Sequence, residues 1–311
     1  MTAISGHILV IGAASVDVKG RAAKRLHLGT SVPGDITLTF GGVARNVAEN
    51  LARLGQPTIL LSAVGDDAFG TQILKRTSEA GVDVSKVIVH PGQHSAVYLI
   101  ILDERGSRTF AVDEMAPVMR LVTPEYILSH RALFKDAAMV LLDANLSPRA
   151  LSAAIQTAKR YGVPVSVDPT STTLAPRLKK HLPDLTLLRP NLTEAAVLCG
   201  HAIEGRAAAT EAVQELVARG VGTAIITLGE EGLCYATSRQ SGYIPAIHCE
   251  VVDSTGAGDA LTAAVAYGLV HGFAIDEAMR LGVSAATLTL QCRETVCPDM
   301  SLERLYDQLV I

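Results

Sequence analysis

The sequence predicts an α/β fold, a mostly parallel central sheet sandwiched by helices, carrying a small antiparallel β lid. Three observations predict it. From Ala137 onward, short apolar runs alternate with stretches of helical length, the pattern of strands joined by crossover helices and covered on both faces. The run His7-Ile8-Leu9-Val10-Ile11 stops at Gly12, as a buried parallel strand does. Asp35–Phe40, Ala96–Leu102 and Arg108–Val112 form a third, different set. The last two flank the turn residues Asp103-Glu104-Arg105-Gly106, which makes them a hairpin.

The elements follow in order. Past the first strand stands Asp17, in a loop where ligands of open α/β sheets gather. In Asp35–Phe40 the side chains of Ile36, Leu38 and Phe40 share one face, so the strand is half-buried. Val43, Val47, Leu51 and Leu54 recur at helical spacing directly after Gly41-Gly42, with Asn46 one turn in. Thr58–Val64 is expected as a strand and Asp67–Ala80 as a helix; the hairpin comes next.

The second half brings strands Met139–Asp143, Pro164–Asp168, Thr186–Arg189 and Thr223–Leu228. They are interleaved with helices Pro148–Tyr161, one from Thr193, and Ala208–Arg219. Gly232–Ala236 and Tyr243–Ile247 are short later strands, and helices Ala274–Leu290 and Ser301–Leu309 close the chain. Helices of the main body interrupt the lid pieces. Residues 1–311 are therefore expected as one unit, with lid strands inserted from about 35–40 and 95–112.

Composition narrows the function. With 49% hydrophobic residues and a mean hydropathy of +0.31 there is ample material for a core. A net charge of −4 offers no basic surface for nucleic acid or membrane. No apolar run approaches the ~18 residues of a spanning helix, and Met1-Thr2-Ala3-Ile4-Ser5-Gly6 has no basic region of the kind a signal peptide begins with. The five cysteines are odd in number and contain no Cys-x-x-Cys, which points to a reducing compartment without a disulfide framework or zinc site. The expected location is the cytoplasm.

Chemistry concentrates at Val252-Asp253-Ser254-Thr255-Gly256-Ala257-Gly258-Asp259-Ala260, a turn of small residues running into an Ala/Leu/Val helix. The first N–H groups of such a helix lack intrahelical partners and its dipole is positive there, which suits a phosphate. Asp259, in the first turn, is placed to take a proton from a hydroxyl attacking that phosphate. The structural alternative is ordinary capping, since an acid is favourable in the first turn of any helix. Asn191-Leu192-Thr193-Glu194 likewise spells a capping box. Its functional reading is a pair that orders Mg²⁺ through water, because Mg²⁺ keeps much of its hydration shell. Thr227-Leu228-Gly229 is either a turn or a strand end that receives a nucleotide. There is no Walker A sequence, no complete G-x-G-x-x-G, no His-Glu-x-x-His and no Gly-x-Ser-x-Gly.

Taken together, Gly41-Gly42-x-x-x-Asn46, Asn191-x-x-Glu194, Thr227-x-Gly229 and Asp253 through Asp259 resemble the ribokinase (PfkB-type) family of sugar and nucleoside kinases, in the right order along nearly the whole chain. The resemblance implies ATP-dependent phosphorylation of a hydroxymethyl group, with Mg²⁺. Asp259 would be the base, and the backbone of Gly256, Ala257 and Gly258 the anion site. Asp17, Gly41, Gly42 and Asn46 would bind the sugar, and Asn191, Glu194, Thr227, Gly229 and Thr255 the nucleotide. Asp253, with backbone near Cys292–Cys297, would hold a monovalent cation such as K⁺.

Gly12-Ala13-Ala14-Ser15-Val16-Asp17, Pro33-Gly34-Asp35-Ile36, Gly41 through Ala48 and Leu61 through Gly65 are most similar to the pseudouridine kinase subfamily, as is the tail through Pro298-Asp299-Met300-Ser301. That likeness implies transfer to the 5′-hydroxyl of pseudouridine, with Tyr98 and Asp113 closing over the base; Asp113 replaces an Asn of the subfamily. Ribose, an adenosine-like nucleoside or a keto-sugar is the alternative acceptor. A non-catalytic sugar or nucleotide sensor is the alternative of another class. The lid is also a candidate surface for a homodimer.

Overall fold

The computed structural model describes residues 6–106 and 108–309; Met1–Ser5, most of the stretch expected to hold no signal peptide, lies outside them. Along the chain the strands are β1 (His7–Ile11), β2 (Ser15–Ala22), β3 (Gly34–Gly41), β4 (Thr58–Leu61), β5 (Ala63–Gly65), β6 (Ile88–His90) and β7 (Ala96–Leu102). They continue as β8 (Arg108–Asp113), β9 (Ala137–Asp143), β10 (Val165–Asp168), β11 (Leu187–Leu188), β12 (Thr223–Thr227), β13 (Gly232–Thr237) and β14 (Ser241–Pro245). The helices are α1 (Val43–Arg53), α2 (Ala68–Glu79), the short α3 (Ala116–Met119), α4 (Pro124–Ser129) and α5 (Arg131–Lys135), then α6 (Pro148–Tyr161) and α7 (Leu192–Cys199). The last four are α8 (Gly205–Ala218), α9 (Ala257–Val270), α10 (Ile275–Leu290) and α11 (Leu302–Asp307).

Side chains alternate across a strand, and that alternation builds the sandwich. The large sheet runs β14-β13-β12-β11-β10-β9-β1-β4. It is parallel from β4 through β12, and β13 and β14 add on antiparallel. Leu9, Ile11, Val140 and Leu142 face one way and pack with α6 residues such as Leu151 and Ile155. Ile8, Val10, Met139 and Leu141 face the other way, against Leu51 of α1, Ala263 of α9 and Leu281 of α10. α9 is buried along nearly its whole length, as expected for a helix apolar on every side.

The lid is a second sheet, β3-β2-β7-β8. Its expected strands are present, and the hairpin β7–β8 extends to Asp113. β2 is a correction. The stretch expected as a loop around Asp17 is a strand that pairs antiparallel with β3 and parallel with β7, so Asp17 sits inside the lid sheet. The expected strand Thr58–Val64 breaks at Ser62 into β4 and β5, and β5 pairs with β6 in a sheet of its own.

A second correction concerns the cysteines. Cys292 and Cys297, with Cα atoms 5.6 Å apart, form a disulfide in the loop between α10 and α11, while Cys199, Cys234 and Cys249 are free. The turn of that loop, and not any Cys-x-x-Cys spacing, brings the pair together. Among the described residues, no helix is long and apolar enough to cross a membrane.

Candidate active site

The parallel strands end on one edge, where ligands of open sheets gather. Asp143 closes β9, Asp168 closes β10, Arg189 follows β11 and Thr227 closes β12. The glycine turn stands over this edge and enters α9. Its cap, Gly256, has φ 85°, and a Cβ there would overlap the carbonyl oxygen of Thr295. Only glycine fits. No side chain among the described residues caps this end.

Asp259 lies in the first turn of α9, 9% exposed, and accepts a hydrogen bond from Asn46 Nδ2 at 2.8 Å. Burial, and then the nearby charge of Asp168, push its carboxyl up to about 7, against the opposing effects of the Asn46 bond and Arg189. A base is most useful with a pKa near the working pH.

Asn46 is committed on both sides of its amide. Its Oδ1 accepts from Arg45 Nη1 at 3.0 Å, and the Thr295 hydroxyl, which donates to the carbonyl of Phe40, lies 3.4 Å away. Arg45 is buried, bonds the carbonyl of Phe40 at 2.7 Å and pairs with Glu49. The amide is thereby oriented with its nitrogen toward Asp259. Sequence reasoning passed over Arg45 because an Arg facing a helix interior has the same local signature as one facing water.

The second glycine-led helix end is built differently. Gly42, at φ 92°, leads into α1 with no room for a Cβ beside Ala13 and Ala14. The neighbouring N–H groups of Ala13 and Ala44 both donate to Asp143 Oδ2, at 2.8 and 3.1 Å. The α1 end therefore holds a carboxylate of the protein itself. Burial pushes the Asp143 carboxyl up to about 6 despite the bond from Ala13.

The lid brings three of the expected sugar and base residues, Asp17, Tyr98 and Asp113, into one row, while Gly41 lies two residues along β3 and Gly42 and Asn46 belong to the start of α1. Thr39, Asp17, Tyr98 and Asp113 are direct cross-strand partners. Asp17 is buried against Gly41, where a Cβ would strike its carboxylate, and accepts from Ser15 Oγ at 3.3 Å. Burial pushes the Asp17 carboxyl up to about 6, although Lys19 opposes this. Tyr98 is half-buried and Asp113 is exposed at the far end of the row. On the opposite face of the sheet Leu38, Val18, Leu99 and Val112 form an apolar row.

On the other side of the glycine turn is a cavity of about 470 Å³ lined by Arg189, Thr227, Gly229, Ala257, Gly258 and Thr287, among others. Asn191 bridges to Thr227, which brings two separate motifs together. Asn191 and Glu194 form the capping box: Glu194 N donates to Asn191 Oδ1 at 2.9 Å and Asn191 N to Glu194 Oε2 at 3.0 Å. Such a cap stabilises a helix by ~1 kcal/mol. Burial and the charge of Asp168 raise the Glu194 carboxyl.

Arg189 is the principal residue that sequence reasoning missed. It pairs with Asp168, donates from Nε to Thr262 Oγ1 at 2.7 Å, and packs so closely on Gly258 that a Cβ there would lie 2.7 Å from Nη1. Burial alone would lower its pKa, but Asp168, Asp259 and Glu194 hold it above the ordinary value. Its place at a strand end, just before Pro190-Asn191, was the available signal.

Three buried carboxylates around one guanidinium leave this edge rich in hard oxygen donors, a set that fits Mg²⁺. K⁺ on Asp253 does not fit. Asp253 Oδ2 already takes the Lys19 ammonium at 2.5 Å, and Oδ1 takes the Thr255 N–H at 2.8 Å. Two positive charges ~4 Å apart repel by about 4 kcal/mol at an effective dielectric of about 20.

A layered α/β body, a lid sheet, and a glycine turn at a helix N-terminus beside a buried acid are features that suit a phosphotransferase acting on an alcohol group. The pfkB family carbohydrate kinase signature matches residues 5–300. The chain belongs to that family. It is 34% identical to pseudouridine kinase of Escherichia coli (strain K12), over 95% of this chain and 94% of the relative. It is 28% identical to guanosine-inosine kinase of Exiguobacterium acetylicum, over 94% and 97% of the two chains. A solved carbohydrate kinase from Agrobacterium tumefaciens superposes with a TM-score of 0.83 at 27% identity, covering 98% of this chain and 97% of its own.

Proposed function

We propose that this kinase transfers the γ-phosphoryl group of ATP to the 5′-hydroxyl of pseudouridine. The observation that supports phosphoryl transfer most is the convergence of Asp259, the uncapped end of α9 and Arg189. Likeness to a pseudouridine kinase supports the acceptor.

In this reading Asp17, Gly41, Gly42 and Asn46 hold the ribose, with Tyr98 and Asp113 at the base. The 5′-oxygen bonds to the γ-phosphorus as the bond from that phosphorus to the bridging oxygen of ADP breaks. The hydroxyl proton passes to Asp259. The N–H groups of Gly256, Ala257 and Gly258, with the Arg189 guanidinium, take the charge on the transferred group, where electrostatics and positioning supply most of the catalysis.

The cavity beside Thr227 and Gly229 receives the nucleotide, with Thr255 at the phosphate end. Asn191 and Glu194 would hold Mg²⁺ through water, and the ion when bound adds positive charge at the phosphate oxygens. The lid excludes water, so that the sugar hydroxyl and not water is phosphorylated. The exposed Ile36, Leu38, Leu99, Phe110 and Val112 on its outer face support pairing of two lids in a homodimer.

The test is ADP release across pseudouridine, uridine, guanosine, adenosine, ribose and a keto-sugar. Pseudouridine carries a ring N–H that uridine lacks, and a site built to bond such a group rejects the analogue by about 10⁴ or more. Equal kcat/KM for the two removes the role of Asp113 in reading the base. Binding of nucleotide with no ADP release from any alcohol supports the sensor instead.

A further inference from the structure

Lys19 lies two residues beyond Asp17 on β2 and therefore on the same inner face of the lid. Lysine is almost never fully buried unless paired. Here it is 6% exposed, and its ammonium reaches across to the chain just before the glycine turn. It donates to Asp253 Oδ2 at 2.5 Å and to Thr255 Oγ1 at 2.8 Å. The same Asp253 carboxylate accepts the N–H of Thr255, so it braces the residue that precedes Gly256. The main chain behind it is tied down as well: the N–H groups of Val252 and Asp253 both point to the carbonyl of Leu290.

We propose that Lys19 supplies, as a tethered ammonium, the positive charge that a bound monovalent cation would otherwise bring to Asp253. The anion-binding turn of this kinase is then set without K⁺. The charge comes from the lid sheet, so the turn is braced by the same element that carries Asp17. Lys19 acts through Asp253 and Thr255 and is a positioning residue. The inference rests on the kinase reading only for its activity arm.

The test compares KCl with N-methyl-D-glucamine chloride at matched ionic strength, in two readouts. In thermal unfolding without nucleotide, the wild-type protein is expected to melt at the same temperature in both salts, whereas Lys19→Ala is destabilised and recovers several degrees in K⁺ alone. In ADP release, wild-type rates in the two salts are expected to agree within about twofold. Lys19→Ala is expected to lose about tenfold or more without K⁺ and to regain most of it with K⁺.

Wild-type activation or stabilisation specific to K⁺ overturns the proposal. So does a Lys19→Ala protein that keeps full activity without K⁺, or one that K⁺ does not rescue, which would mark the lysine as merely structural. The melting arm reads out even if no alcohol acceptor is found, which separates failure here from failure of the proposed reaction.

Discussion

Helices α1 and α9 are both N-capped by a glycine with positive φ, and the space in front of the two ends is filled differently. At the start of α1 the N–H groups of Ala13 and Ala44 converge on Asp143 Oδ2, so the molecule fills that end from within. At the start of α9 no described side chain caps the helix, a cavity lies beside Ala257 and Gly258, and Asp259 stands in the first turn. Both ends have a glycine turn leading into a helix, amphipathic in α1 and apolar on every side in α9. A glycine-led end is thus a capacity to bind an anion, and the third dimension decides whether the anion is a ligand or a side chain.

The largest expected effect comes from removing the acid at the open end. Asp259→Asn should lower kcat by about 10²–10⁴, the usual worth of a general base, with ATP affinity by calorimetry close to wild type. It should also change stability in a defined direction. The folded Asp259 carboxyl is raised from 3.8 to about 7, so the folded state binds that proton more tightly than the unfolded chain does. Its contribution to stability then falls as pH rises through that window. The melting temperature of Asp259→Asn should therefore match or exceed that of wild type at pH 8. Marked destabilisation there would make Asp259 a structural capping residue.

A smaller loss is expected from Arg189→Met. It removes one preorganised charge beside Gly258, which at comparable sites is worth about 10²–10³ in rate, read as a fall in kcat/KM for ATP. Unpairing Asp168 lowers the melting temperature as well, so activity should be compared at a temperature where both proteins are folded.

The least effect on chemistry should come from the closed end. Asp143→Ala leaves two buried N–H groups without their acceptor, at about 1–3 kcal/mol each, measured as a drop in unfolding free energy by urea. Its kcat should stay within a few-fold of wild type. If instead Asp143→Ala loses as much turnover as Asp259→Asn, the two helix ends are not distinct in function.

Most of the body was legible in the sequence because buried parallel strands announce themselves as short apolar runs. The expected Met139–Asp143 and Thr223–Leu228 needed nothing further and stand as β9 (Ala137–Asp143) and β12 (Thr223–Thr227). β2 was not legible. Asp17 and Lys19 point into the molecule, and alternation with charged residues on the buried face imitates a loop. In the site, Asp259 and the glycine turn were readable as one contiguous stretch, and Asn191-x-x-Glu194 as a cap.

The contacts that tune the site were not readable, because they join residues far apart in the chain. Asn46 reaches Asp259 across 213 positions, and Ala13 reaches Asp143 across 130. The bond between Lys19 and Asp253 spans 234, and no spacing rule predicts it.

Asp259, with its carboxyl raised to about 7 by burial and oriented by Asn46, is proposed as the base at the open helix end. The pH dependence of kcat/KM between pH 5 and 9 tests it most directly, because the base must be ionised. The rate should climb about tenfold per pH unit below an inflection near 7 and level off above it, with that limb absent from the residual activity of Asp259→Asn. A wild-type profile flat through this range, or an Asp259→Asn protein with the same inflection, would contradict it.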